Sequence, residues 1–170
     1  MNIRKIVLAV FASFVMLFSF QCKTTKGDNN METEKNKAIA HRWNNEIWNK
    51  GNIDLIDELF ADNFVSYYPS FPPSDRESYK QWAIMEFAAF ADIHCTIEDL
   101  VAEGDKVVIR WNWRGTHSKG KYMEIAPTGK QVTITGITIL RIEGSKIVEE
   151  WGNSDELGKM QQLGVVPSPE

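Results

Sequence analysis

The chain has 170 residues, with 19 Lys and Arg against 23 Asp and Glu for a net charge of −4, and only three His and two Cys. A mildly acidic chain without a basic run makes a poor nucleic-acid binder, because phosphate backbones reward clustered Lys and Arg. Scattered histidines and a single cysteine in the globular part offer no metal-ligand spacing, so no metal site is expected.

The first 22 residues read as an export signal. Arg4 and Lys5 precede an uncharged apolar run from Ile6 to Phe20, and Cys22 follows at once. The run is short for a membrane span, which takes about 20 residues, and it suits a signal-peptide core. A cysteine directly behind such a core fits a bacterial lipoprotein signal, with Cys22 lipidated and the protein exported and anchored to the cell envelope. Ser19-Phe20-Gln21 departs from the usual lipobox, which has Leu three positions before the cysteine and a small residue beside it. An ordinary cleaved signal and an uncleaved anchor are the other readings. Loss of residues 1–21 removes Arg4 and Lys5 and no acid, leaving 17 basic against 23 acidic residues, a net −6.

Residues 23–33, KTTKGDNNMET, are polar without an apolar period and read as a flexible tether. Residues 34–170 then form one domain, long enough for a single sizeable core. Cys95 is its one cysteine; it cannot form an internal disulfide and reads as a small buried hydrophobe.

Glu34 to Lys50 is predicted helical, with Ile39, Trp43 and Ile47 on one stripe and Gly51-Asn52 as the stop. A second short helix runs from Ile53 to Phe60, and Phe64 to Tyr68 reads as a strand ended by Pro69. A third helix spans about Asp75 to Phe90, with Tyr79, Trp82, Ala83, Glu86 and Phe87 among its side chains and Ser74 or Asp75 as cap.

After Asp92 the period changes to two. Ile93 to Val101 alternates, Glu103-Gly104-Asp105 turns the chain, and Val107 to His117 forms the next strand. One face of that strand carries Val107, Ile109, Trp111, Trp113 and, where the strand runs out, His117; two tryptophans on one face must be covered. Strands follow at Val132 to Ile142 and Lys146 to Trp151, and a short helix runs through Leu157, Met160 and Leu163. Helices first and an antiparallel meander after them define an α+β domain with helices on one face of a curved sheet. Asp155 stands where the last strand turns to helix. As a carboxylate in a first helical turn it is either a cap or a functional acid.

In this order the chain resembles the SnoaL-like polyketide cyclase (ester cyclase) family of the nuclear transport factor two-like superfamily. The matching phrases are WNKGNIDLIDELFADNFV at 48–65, TIEDLVAEGDKVVIRW at 96–111 and RGTH at 114–117. APTGKQVTITGITILRIEGSKIVEEW at 126–151 and DELGKMQQLG at 155–164 complete the set. The resemblance implies a cone: a curved antiparallel sheet wrapped by three N-terminal helices around an apolar pocket, often in a homodimer. It also implies intramolecular aldol chemistry without metal or cofactor, with an aspartate as general acid/base. By position that acid is Asp155, and the family's pocket histidine is His117, which reads otherwise as an exposed strand-end residue.

Tyr68, Trp111, Trp113 and Trp151 are candidate ligand-binding residues, the tryptophans serving the core first. Two family histidines are missing, one replaced by Tyr67 or Tyr68 and one by Glu150. The expected function is therefore a membrane-tethered domain that binds a small apolar or carbonyl-containing molecule. The alternative is a cofactor-free cyclase or isomerase using Asp155.

Overall fold

A computed structural model describes residues 26–69 and 71–167. The signal segment 1–22, with Cys22, lies outside the described residues.

The first helix, α1, spans Lys26–Arg42 and continues without interruption as a π-helical turn, Trp43–Trp48. It starts inside the stretch expected to be a flexible tether, ahead of the Glu34 start that periodicity gives. Nucleation is the costly step in helix formation. Once Ile39 to Trp48 are packed, upstream residues extend the helix without needing an apolar stripe. The π turn places Trp43 and Trp48, five residues apart, in the interior together with Asn44 and Ile47. Asn44 Nδ2 and Asn49 Nδ2 both donate to the carbonyl of Cys95, at 3.0 and 2.9 Å, and the Cys95 amide donates to Asn49 Oδ1 at 2.7 Å. These bonds fasten the helix end to the sheet. Cys95 itself is buried, and burial pushes its thiol up to about 12.

Next come α2 (Leu55–Leu59), β1 (Phe60–Tyr67) and the two-residue β2 (Ser74–Asp75). β1 begins at Phe60, earlier than the Phe64 start expected from sequence, because Phe60 reaches a backbone partner at Ile147. Helix α3 (Arg76–Ala89) is capped by Asp75, whose Oδ1 accepts from the Ser78 amide at 2.8 Å. Four long strands follow, β3 (Phe90–Glu103), β4 (Lys106–His117), β5 (Gln131–Glu143) and β6 (Lys146–Ser154), and then α4 (Glu156–Leu163).

The strands form one six-stranded sheet in the order β2-β1-β6-β5-β4-β3, antiparallel except for β1 beside β6. Register shifts interrupt β3 between Ala91 and His94 and between Ile97 and Asp99, and β5 at Arg141/Ile142. Each irregularity adds local twist, and the sheet curls around its apolar face. At the first, Asp92 adopts a positive φ of 48° and its carboxylate accepts from the amide and hydroxyl of Thr116 at 3.0 and 3.1 Å. The result is the α+β cone expected from sequence, with the core between the curled sheet and its helices.

Candidate active site

The core is not filled at its centre. A recess of about 40 Å³ remains, walled by Trp43 and Trp48 from the π turn, Tyr79 and Trp82 from α3, and Trp111 and Trp113 from β4. Tyr68, Tyr79, Trp82 and Glu156 line this recess and also a wider, mainly apolar outer pocket of about 280 Å³, bounded by Phe71, Pro72, Met85 and Met123. The two cavities therefore adjoin, with these four side chains as their common wall. Two indoles are fixed by hydrogen bonds: Trp43 Nε1 donates to the Tyr79 hydroxyl and Trp111 Nε1 to Thr138 Oγ1, both at 3.0 Å. Trp48 Nε1 is buried in the wall without an acceptor of normal geometry.

Three charged residues reach this interior because each occupies an inward register of its own element. On α3 the buried stripe runs Tyr79, Ala83, Glu86. On β6 the inward positions include Val148, Glu150 and Gly152, and on α4 they are Lys159 and Leu163. Charged side chains are almost never fully buried unless paired, and these three divide on that criterion.

Glu86 and Lys159 are a pair. Lys159 Nζ lies 2.7 Å from Glu86 Oε1, with both side chains all but inaccessible. Burial pushes the Glu86 carboxyl up, and the Lys159 ammonium and the nearby Tyr122 hydroxyl pull against it. Its second oxygen, Oε2, accepts no hydrogen bond of normal geometry. The ammonium also rests over three rings, 4.2 Å from the centroid of Tyr122, 4.8 Å from Trp113 and 4.9 Å from Phe90.

Glu150 is paired with no cation among the described residues. It is 1% exposed. Its contacts are hydroxyls: Ser66 Oγ at 3.3 Å on the adjacent strand and the Tyr68 hydroxyl at 3.5 Å. Burial drives its carboxyl up to about 8, against the smaller downward pull of those hydroxyls. It is therefore largely protonated at neutral pH. Beside it, burial and the neighbouring carboxyl hold the half-buried Tyr68 phenol well above its ordinary range. Tyr68 can lie here only because β6 carries a glycine: a Cβ on Gly152 would fall inside the Tyr68 ring. Gly136 on β5 does the same for the Trp111 indole.

The residues singled out from sequence divide accordingly. Tyr68, Trp111 and Trp113 stand in the recess wall. Trp151 takes the opposite parity to Glu150 and stacks on the exposed Tyr67 outside the cavity, centroids 5.9 Å apart. His117 is fully buried but lines neither pocket. Its Nε2 donates to the Gly120 carbonyl at 3.0 Å and its Nδ1 accepts from the Thr128 amide at 3.4 Å. It ties together the 118–130 loop that carries Tyr122 onto the Glu86–Lys159 pair. Asp155 is exposed, lines neither pocket, and caps α4 by accepting from the Gly158 amide at 2.8 Å.

The acids in the recess are instead Glu86, Glu150 and, partly exposed at its edge, Glu156. In the sequence Glu150 reads only as a replaced family histidine and Glu86 only as a helix residue. The signal was a charge in an apolar register.

Fold and cavity together define a class: a cone-shaped α+β domain that encloses a site for a small molecule. The chain belongs to the SnoaL-like polyketide cyclase family, whose model matches residues 38–163. Among solved structures it is similar to a putative polyketide cyclase from Acidithiobacillus ferrooxidans, with 32% identity, 76% of this chain and 94% of that one covered, and a TM-score of 0.68. A putative polyketide cyclase from Bacillus cereus is likewise 32% identical, over 78% and 82% of the two chains, with a TM-score of 0.66. IdmH, a putative polyketide cyclase from Streptomyces antibioticus, is 31% identical over 76% and 99%, with a TM-score of 0.65. No curated protein matches the chain.

Proposed function

We propose that this chain is an exported, lipid-tethered SnoaL-like domain that binds a small, largely apolar or carbonyl-containing molecule, with its polar end at Glu150. The observation that carries this reading is the pair of adjoining cavities, aromatic on their walls, with a buried carboxyl, Glu150, that no described cation pairs with. Binding of an apolar fluorescent probe should quench or shift tryptophan emission, since five of the six tryptophans line the recess. Trp113→Ala should weaken that binding; equal affinity in the variant removes the site from the recess.

The tether rests on Cys22, one residue beyond the apolar run Ile6 to Phe20. Cys22→Ala should move the protein from the membrane to the soluble fraction, and unchanged flotation with membranes refutes lipidation. A homodimer is supported by Val101, Val108 and Ile137, apolar and exposed on the neighbouring strands β3, β4 and β5.

A second reading is acid/base catalysis with Glu150 in the part expected of Asp155. A carboxyl that keeps its proton up to about 8 can donate to a carbonyl oxygen and accept a proton near neutrality. Turnover that survives Asp155→Asn and is lost in Glu150→Gln is the result this reading expects.

A further inference from the structure

We propose that the recess is a cation site: it takes the ammonium head of a small hydrophobic amine or quaternary ammonium compound against Glu150 and the faces of Tyr68, Tyr79, Trp82 and Trp111, with the apolar body in the outer pocket. The proposal rests on the cavity-binding reading above and names the chemistry of the occupant.

The walls supply the first argument. Aromatic faces carry negative potential, and a cation within about 6 Å of a ring centroid is attracted to it, more strongly when water is excluded. This interior already holds one such group, since Lys159 Nζ sits 4.2 to 4.9 Å from three ring centroids. What matches that ammonium is Glu86 Oε1 at 2.7 Å. Glu150 stands in the same aromatic-lined recess, and no cation among the described residues pairs with it.

Charge supplies the second. The recess is lined by three acids, Glu86, Glu150 and Glu156, and one base, Lys159. Lys159 is already committed to Glu86, whose Oε2 accepts no hydrogen bond of normal geometry and adds negative potential to the lining. An anionic ligand would meet carboxyls and ring faces; a cation meets its complement.

Size supplies the third. At roughly 10–15 Å³ per water position, a 40 Å³ recess has room for about three waters, or ~90 Å³ of liquid. That is the scale of a head group with four or five heavy atoms. The outer pocket of about 280 Å³ takes the rest of the molecule.

Linkage follows from the groups that face the site. Tyr68, Tyr79 and Tyr122 are all pushed upward by burial and stay neutral near neutrality; Lys159 is paired with Glu86, whose carboxyl burial also raises, and Glu156 stands partly exposed at the edge. Glu150 holds its proton up to about 8, so a cation that requires the carboxylate displaces one proton. Affinity then rises about tenfold per pH unit below that value and levels above it.

The test uses the full-length protein, choline as the probe and 3,3-dimethylbutan-1-ol as its uncharged isostere, titrated by tryptophan fluorescence at pH 6 and pH 9. Choline is expected to bind at least tenfold more tightly than the isostere at pH 9, and roughly a hundredfold more tightly at pH 9 than at pH 6. Glu150→Gln should abolish the pH difference and reduce the preference for choline at pH 9. Trp82→Leu, at a partly exposed ring, should reduce the preference for choline without relying on the buried substitution. If the isostere binds as well as choline at pH 9, or choline affinity is the same at both pH values, the cation proposal is overturned and the cavity reading stands. If neither probe binds at either pH, both are overturned.

Discussion

The ring of Tyr68 occupies the space that a Cβ on residue 152 would need, so Gly152 is what lets that tyrosine lie across β6 and reach Glu150. A glycine inside a strand costs stability and marks a close approach. Here the approach builds the polar end of the cavity.

Gly152→Ala should therefore act on the site before it acts on the fold. The methyl group has to displace Tyr68, at a cost of about 1–3 kcal/mol for overpacking. Probe binding should weaken by more than the loss of stability accounts for, because the Tyr68 hydroxyl leaves Glu150. Thermal unfolding measured beside probe titration separates the two effects. Gly136→Ala should behave similarly through Trp111, with which its Cβ would collide.

Glu150 should also set part of the pH dependence of stability. The folded protein holds this proton up to about 8, whereas an ordinary glutamate releases it near 4.5. As pH rises, the unfolded chain loses the proton first, so this group's contribution falls between about pH 4.5 and 8 and is constant above. A separation of that size corresponds to at most ~5 kcal/mol. Burial also raises the Glu86 carboxyl, in the same sense, so the part due to Glu150 is the part that vanishes in Glu150→Gln. Urea unfolding at pH 5 and pH 8 for both proteins measures it.

The Glu86–Lys159 pair should be costly to break from one side. Removing either partner alone leaves a buried charge without compensation, for which about 3–5 kcal/mol is typical. Glu86→Gln and Lys159→Met singly should each destabilise on that scale. The double variant should recover much of the loss, because it leaves no net charge inside. Melting temperatures of the three variants form the cycle that checks this.

At Asp155 the expectation concerns the helix alone. Its carboxylate caps α4 at the Gly158 amide. Asp155→Ala should cost about 1 kcal/mol, and Asp155→Asn should cost little because asparagine also caps. Probe binding in the recess should be unaltered in both, as judged by the same fluorescence titration.

Much of this architecture was legible because periodicity carries it. The change from a period near four to a period of two after Asp92 separated helices from meander, and the parity of β4 put Trp111 and Trp113 on the inner face. The same parity argument, applied to β6, places Glu150 and Gly152 inside and Trp151 outside. Set against a family histidine, Glu150 counts only as a loss, and Trp151 counts as one more pocket tryptophan; parity alone separates them.

The rest was hidden for physical reasons. Nothing local in WNNEIW announces a π turn, which forms where Asn44 and Asn49 can grip the Cys95 peptide on a strand far along the chain. His117 looked like a pocket group because it shares the tryptophans' face. Its distance from the recess depends on how the 118–130 loop folds back onto it. Asp155 looked catalytic by its position in DELGKMQQLG, and a cap and an acid at the head of a helix have the same sequence.

The most direct measurement is the titration of the Glu150 carboxyl itself, followed by carbon-13 NMR of side-chain-labelled glutamate and assigned by the resonance missing in Glu150→Gln. A midpoint near 8, moving down when choline is bound, is the result expected of a buried carboxyl that faces the recess without a cation of its own. A midpoint at the ordinary glutamate value of 4.5 in the free protein, unmoved by choline, would contradict the account.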